Sequence, residues 1–160
     1  MMKKTVCLLM VLLMLAVAVS CETEPVENVR FTAISINGVT VTLDAKAEPI
    51  LSSFGNALNY SESPSCAFEG MDKIYAYNGF RVETYTLKGV DYIRKVELID
   101  DTYATPEGSR IGDSAESVIE KHGDATLQND TQIVYEAQNG KLQFLIRDGK
   151  VTNIQYLKAE

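Results

Sequence analysis

Chemistry needs groups that move a proton, attack a carbon or hold a cation, and this chain offers few of them. His122 is the only histidine. Nucleophilic hydrolysis needs a base beside a serine or cysteine, and no Ser or Cys stands where the spacing singles it out as a partner for His122. The residue falls in what reads as the last turn of a helix, where an imidazole interacts favourably with the helix dipole. It is read as structural. One histidine and one spare thiol make no zinc site. Asp100 and Asp101 lack the alternating spacing of a calcium loop and read as solvated connector. Glu48 and Glu116 look paired on paper, yet each stands at a helix start. No glycine-rich phosphate loop is present. The expectation is no catalytic residue, no metal and no cofactor.

The tyrosines are more suggestive. Tyr75 and Tyr77 share one face of a candidate strand, while Ile74 and Ala76 share the other. Tyr85, Tyr92, Tyr135 and Tyr156 fall on neighbouring candidate strands. One sheet face packs on helices; the other is expected to be half exposed and tyrosine-bearing, which suits contact with a protein or a glycan. Tyr75, Tyr77, Tyr85, Tyr92 and Tyr135 are the expected contact surface.

The elements that would position these rings follow from glycine and apolar patterning. Residues 43–55 lie over residues 111–123 without a gap: Ala47 meets Ala115, Glu48 meets Glu116, Ile50-Leu51 meets Val118-Ile119, and Gly55 meets Gly123. Each reads as a short helix stopped by its glycine. In the second, Asp113 is expected to cap and Glu116 to reach back. In the first, Pro49 is tolerated only in the first turn. Strands follow each helix: residues 73–77 and 80–85 around Asn78-Gly79, then residues 133–137 and 142–146 around Asn139-Gly140. Asn-Gly is a strong hairpin signal because both residues accept positive φ. A third strand follows each pair, with Ile93, Val96 and Leu98 echoed by Val151, Ile154 and Tyr156. A further hairpin around Asn37-Gly38 precedes the first helix. The expected fold is α+β: two tandem repeats, each a short helix followed by a three-stranded antiparallel meander, with an extra N-terminal hairpin. Residues 30–160 form one compact unit, the repeats spanning about 30–101 and 102–160.

The amino end has a separate purpose. Lys3 and Lys4 precede an apolar run over residues 6–19, too short for a bilayer span, which takes about 20 residues. Ala18-Val19-Ser20 then leads into Cys21. This reads as a secretory signal over residues 1–20 ending at a lipidated cysteine. Residues 21–29 read as a polar tether with a reach of about 25 Å. Two acyl chains suffice for stable anchoring; the resemblance of Ala18-Val19-Ser20-Cys21 to a lipobox implies that they are a diacylglyceryl thioether with palmitate-type tails. The expected location is the cell membrane, lipid-anchored on its extracytoplasmic face.

The 160-residue chain carries 15 basic and 22 acidic residues, a net charge of −7. Without residues 1–20, which hold Lys3, Lys4 and no acid, 140 residues and a charge of −9 remain. That argues against nucleic acid and against adhesion to anionic headgroups. Cys7 leaves with the signal and Cys21 takes lipid, so Cys66 stands alone and is read as a buried small hydrophobe.

These residues carry a resemblance. The Ala18-Val19-Ser20-Cys21 pattern resembles the lipobox of bacterial lipoproteins. The glycine-ended helix, repeated and followed by antiparallel strands, resembles the tandem-repeat β-lactamase inhibitor proteins and the single-repeat SmpA/OmlA outer-membrane lipoproteins, with coverage from about Phe31 to Tyr156. The stretches around Thr105-Pro106-Glu107-Gly108, Ile111-Gly112-Asp113-Ser114 and Ser65-Cys66-Ala67 are similar to lipoproteins of Gram-positive bacteria. The chain lacks the paired cysteines of the inhibitor repeats. The resemblance implies an architecture and allows inhibition of an extracellular hydrolase or a part in envelope assembly. The residues themselves point to a non-catalytic binding module whose partner is a protein or an envelope polymer.

Overall fold

The computed structural model describes residues 31–67 and 70–159. The expected signal, Cys21 and the tether lie outside the described residues. The chain runs β1 (Ala33–Ile36), β2 (Val39–Thr42), α1 (Ala47–Phe54), β3 (Asn59–Pro64), β4 (Met71–Ala76), β5 (Phe80–Leu87), β6 (Val90–Leu98), α2 (Ala115–His122), β7 (Leu127–Gln128), β8 (Gln132–Ala137), β9 (Gly140–Arg147) and β10 (Lys150–Lys158).

Strand patterning is clearest in β9, where buried and half-buried residues alternate from Gly140 to Ile146, the period of a sheet with one covered face. The turns obey their local chemistry unevenly. Asn37-Gly38 takes positive φ at both residues, as do Lys88-Gly89 and Asp148-Gly149. Two Asn-Gly pairs depart from the expectation: at Asn78-Gly79 the glycine alone takes positive φ, and at Asn139-Gly140 neither residue does. Gln138 and Asn139 make that turn and Gly140 opens β9. Its glycine is required by packing, since a Cβ there would come within 2.5 Å of the Leu157 carbonyl oxygen and 2.7 Å of a Leu43 methyl.

Eight strands form one antiparallel sheet in the order β3-β4-β5-β6-β10-β9-β8-β7, with β1-β2 as a separate ribbon. This corrects the expected layout of two helix-plus-meander α+β repeats. Strand takes up 50% of the structure and helix 13%, and each helix is only eight residues long, too short to form a layer. The three-stranded meanders do not stand apart either. β6 pairs with β10, Val96 opposite Tyr156, and each end of the sheet carries a further strand, β3 or β7, that the apolar pattern did not mark.

One cross-strand row explains the core. Tyr60 lies opposite Tyr75, then Val82, Val96, Tyr156, Leu142 and Tyr135 in turn. Residues directly opposite share a face. Val82, Val96, Tyr156 and Leu142 are fully buried, packed in one cluster with Ile34, Ile36 and Val41 of the ribbon, Ala47 of α1 and Val118 of α2. Each such side chain contributes about 1.5–3 kcal/mol of burial. The adjacent row carries charge at four of six positions: Ile74, Glu83, Lys95, Leu157, Lys141 and Glu136. The ribbon and both helices therefore cover the tyrosine face, and the open face is a charge lattice, with Lys95–Glu83 at 2.5 Å and Arg81–Glu97 at 3.3 Å. The expected assignment of faces is thus reversed.

The helices end as their glycines dictate. Gly55 (φ 72°, ψ −152°) and Gly123 (φ 84°, ψ −158°) adopt a positive-φ extended conformation that side chains disfavour. At the start of α2 the cap is Ser114, whose hydroxyl accepts from the Ser117 amide at 3.2 Å. Asp113, expected there, instead accepts from Lys121 Nζ at 2.7 Å and from the Arg110 amide at 3.0 Å.

Candidate functional site

The five expected contact tyrosines separate. Tyr77 is buried, stacked on Phe80 at 4.9 Å and tilted against Phe54 at 5.4 Å. Tyr85 is buried and donates to Asp44 at 2.8 Å; burial and that bond push its hydroxyl up to about 12. Tyr135 is buried and donates to the Gly123 carbonyl at 3.0 Å, tying β8 to the end of α2. Tyr92 is half-buried and stacks on Tyr85 at 5.7 Å. Tyr75 is half-buried, and its ring meets Tyr60 at 5.0 Å.

Tyr60 went unrecognised in the sequence because β3 carries no apolar alternation. It lies opposite Tyr75, beyond the cover of α1, and is 47% exposed. Its hydroxyl donates to Glu62 at 2.5 Å, and that bond raises its pKa above the ordinary phenol range. Burial raises Tyr75 and Tyr77 as well. All three therefore stay neutral at physiological pH and act as donors and flat apolar surfaces.

These rings line an open groove of about 660 Å³ between the end of α1 and strands β3–β4. Leu51, Ser52, Gly55, Asn56 and Ala57 form the opposite wall. The helix stop at Gly55 shapes it, because the chain turns away there and leaves Tyr75 partly uncovered. Chemically the groove offers aromatic area, the hydroxyl of Ser52 and the amide of Asn56. Among its lining residues there is no titratable base or thiol.

The groups with a catalytic look lie elsewhere. His122 Nε2 is 3.0 Å from Ser109 Oγ and 3.3 Å from Thr105 Oγ1, and Nδ1 is 3.5 Å from Glu107 Oε2. This is the order of a hydroxyl, an imidazole and a carboxylate. Ser109, however, is fully buried, and the imidazole lies between Tyr135 at 5.2 Å and Phe144 at 5.0 Å. No substrate carbonyl reaches that hydroxyl in this conformation. Thr105 also accepts from the Ser109 amide at 3.2 Å, and its own amide donates to the Ser109 carbonyl at 2.9 Å. The cluster pins the connector between the sheet halves onto α2.

Cys66 is exposed, contrary to the expected burial, and the small-hydrophobe reading gives way. Among the described residues no three His, Cys, Asp or Glu side chains converge on a point that could hold a metal ion, and no helix is long and apolar enough to cross a membrane. No family model, curated protein or solved structure matches the chain.

Proposed function

We propose that this chain is a non-catalytic binding module, held by a lipidated Cys21 on the extracytoplasmic face of the membrane, which grips a protein or envelope polymer in the tyrosine groove. The carrying observation is the Tyr60–Tyr75 pair, two neutral rings left part-exposed beside a polar helix end. Aromatic side chains supply much of the energy at recognition surfaces, because they bury a large area and keep a hydrogen bond at the tip. The location rests on the cationic head, the apolar run and Cys21 in the sequence.

The test uses envelope extracts from the native host with the wild-type chain and the Tyr60→Ala/Tyr75→Ala variant as bait. A wall polymer or protein retained by the wild type and lost by the variant, with the variant's melting curve intact, supports the reading. Equal retention by both sinks it. A secreted hydrolase as the groove-dependent partner would turn the reading toward inhibition. Mass spectrometry of the amino terminus checks the anchor: an unmodified Cys21 in protein from the native host removes it.

A further inference from the structure

The outer edge of β3 ends the sheet, and the neighbouring bonds fix which of its backbone groups face outward. Just past β4 the Tyr77 amide donates to the Phe80 carbonyl, toward β5, and just past β3 the Ser65 amide donates to the Gly70 carbonyl, across the β3–β4 pair. Antiparallel bonds alternate along a strand, so Asn59, Ser61 and Ser63 turn their N–H and C=O toward β4. Tyr60 and Glu62 turn theirs outward. Position 64, the next outward one, is Pro64, which has no N–H to leave bare; proline on an edge strand sits at such positions. Leu58, just before the strand, has its N–H bonded inward to Ala76 O and is 77% exposed, the most exposed large apolar side chain among the described residues.

The geometry points to a second copy of this chain as the occupant of that edge, β3 pairing antiparallel with β3 about a two-fold axis at Ser61. In this register Tyr60 lies opposite the other copy's Glu62, and each pair exchanges both backbone bonds. Tyr60 already donates to Glu62 within one chain, so the same two groups suit each other across the axis. Leu58 of one copy meets Pro64 of the other, and neither has an N–H that the new ladder must satisfy.

Charge selects this register. A shift that set Glu62 opposite Glu62 would bring two carboxylates face to face, which is destabilising. The opposite shift would set Glu62 against apolar Leu58. The pairing is isologous and closes at two copies. The two tyrosine grooves then flank one axis, so a repetitive polymer could engage both at once.

The test is a disulfide trap in the full chain carrying Cys66→Ser. Ser61 meets its own copy at a non-hydrogen-bonded pair, where Cβ atoms are about 4.5–5.5 Å apart, close to disulfide reach. Adding Ser61→Cys should give a covalent dimer under mild oxidation. Adding Ser63→Cys instead should not, nor should the Cys66→Ser parent, which controls for Cys7 and Cys21. Equal cross-linking at positions 61 and 63, or none at either, overturns the proposal. A second variant, Glu62→Pro, deletes an outward N–H without touching the β3–β4 ladder. It should move the dimer–monomer midpoint at least tenfold upward in concentration while the circular dichroism stays that of the wild type. A dimer unaffected by Glu62→Pro places the interface elsewhere and also overturns it. A dimer that forms as expected, with equal partner retention by the wild type and the Tyr60→Ala/Tyr75→Ala variant, would count against the groove alone.

Discussion

Nδ1 of His122 lies 3.5 Å from a carboxylate oxygen of Glu107, and the opposite ring nitrogen lies 3.0 Å from the Ser109 hydroxyl. The imidazole therefore joins the middle and one end of a tight loop to the last turn of α2, and the neighbouring Lys121 adds a bond to the Gly108 carbonyl at 3.1 Å. His122→Ala would leave a cavity between Tyr135 and Phe144 and strip the hydroxyls of Ser109 and Thr105 of a buried partner. The expected loss is about 3 kcal/mol, read as a lower urea midpoint with unchanged slope. Partner capture by the folded fraction should be unaffected, because the groove is built from other elements. A selective loss of capture at full stability would assign the cluster a functional role.

Gly140 gives a prediction that distinguishes packing from turn geometry. Its φ is not in the positive region, so alanine is permitted by the backbone there and forbidden by its neighbours. Gly140→Ala pushes into the Leu157 carbonyl and Leu43 and should cost about 1–3 kcal/mol, as overpacking does. At Gly89 the reverse holds: no atom stands within 4 Å but φ is +76°. Gly89→Ala should cost less, roughly 1–2 kcal/mol, the strain of one residue held at positive φ. Equal effects at the two sites would remove the packing argument.

What the sequence revealed and concealed divides along physical lines. Gly55 and Gly123 were legible as helix ends because the signal is local. β9 was legible because its buried side chains recur every second residue, and β6 and β10 because Ile93, Val96 and Leu98 share the uneven spacing of Val151, Ile154 and Tyr156. β3 was not: Asn59-Tyr60-Ser61-Glu62-Ser63-Pro64 is exposed throughout, so no buried side imposes a pattern. The union of β6 with β10 joins residues such as Leu98 and Ile154 that lie far apart along the chain, and apolar residues say which positions are buried but not which strand lies beside them. The same gap reverses the sheet faces, since a period of two puts Tyr75 and Tyr77 on one side of the strand without saying which side is covered. Ser109 was invisible as the partner of His122 because a loop serine is positioned by tertiary folding alone.

Acid should weaken the fold through two carboxyls. Asp113 is held below the ordinary carboxylate range, chiefly by the bond from Lys121. At Asp91 burial pushes upward, but the bonds from Lys73 at 2.7 Å and Thr86 at 2.6 Å outweigh it, and the net direction is down. Both folded values thus lie below the unfolded one of about 3.9. Their contribution is complete above that unfolded value and is lost as pH falls through the folded values. Urea midpoints taken from pH 6 down to pH 2 should decline chiefly below about pH 4. Asp91→Asn should lower the midpoint at pH 6 and flatten that decline. A variant with the wild-type slope would show that the Lys73 and Thr86 contacts do not favour the ionised form.

Tyr75 and Tyr77 stand two residues apart and separate stability from recognition. Tyr77 is 8% exposed and ringed by Phe54 and Phe80. Its truncation removes a core aromatic, and Tyr77→Ala should cost about 3–5 kcal/mol. Tyr75 is only half-buried, and the Tyr60 ring beside it is part-exposed, so Tyr75→Ala should cost roughly 1–2 kcal/mol at a site that can partly collapse or fill with water. Phenylalanine sharpens the contrast. Tyr75→Phe keeps the ring and its packing but deletes the hydroxyl, so stability should hold. If the partner is bound through the hydroxyl, its affinity should fall by about fivefold to tenfold, the weight of one neutral hydrogen bond. Thermal melts paired with affinity measurements on the three variants read both quantities. Should Tyr75→Ala destabilise as much as Tyr77→Ala, the ring belongs to the core and the groove loses half of its aromatic floor as a recognition surface.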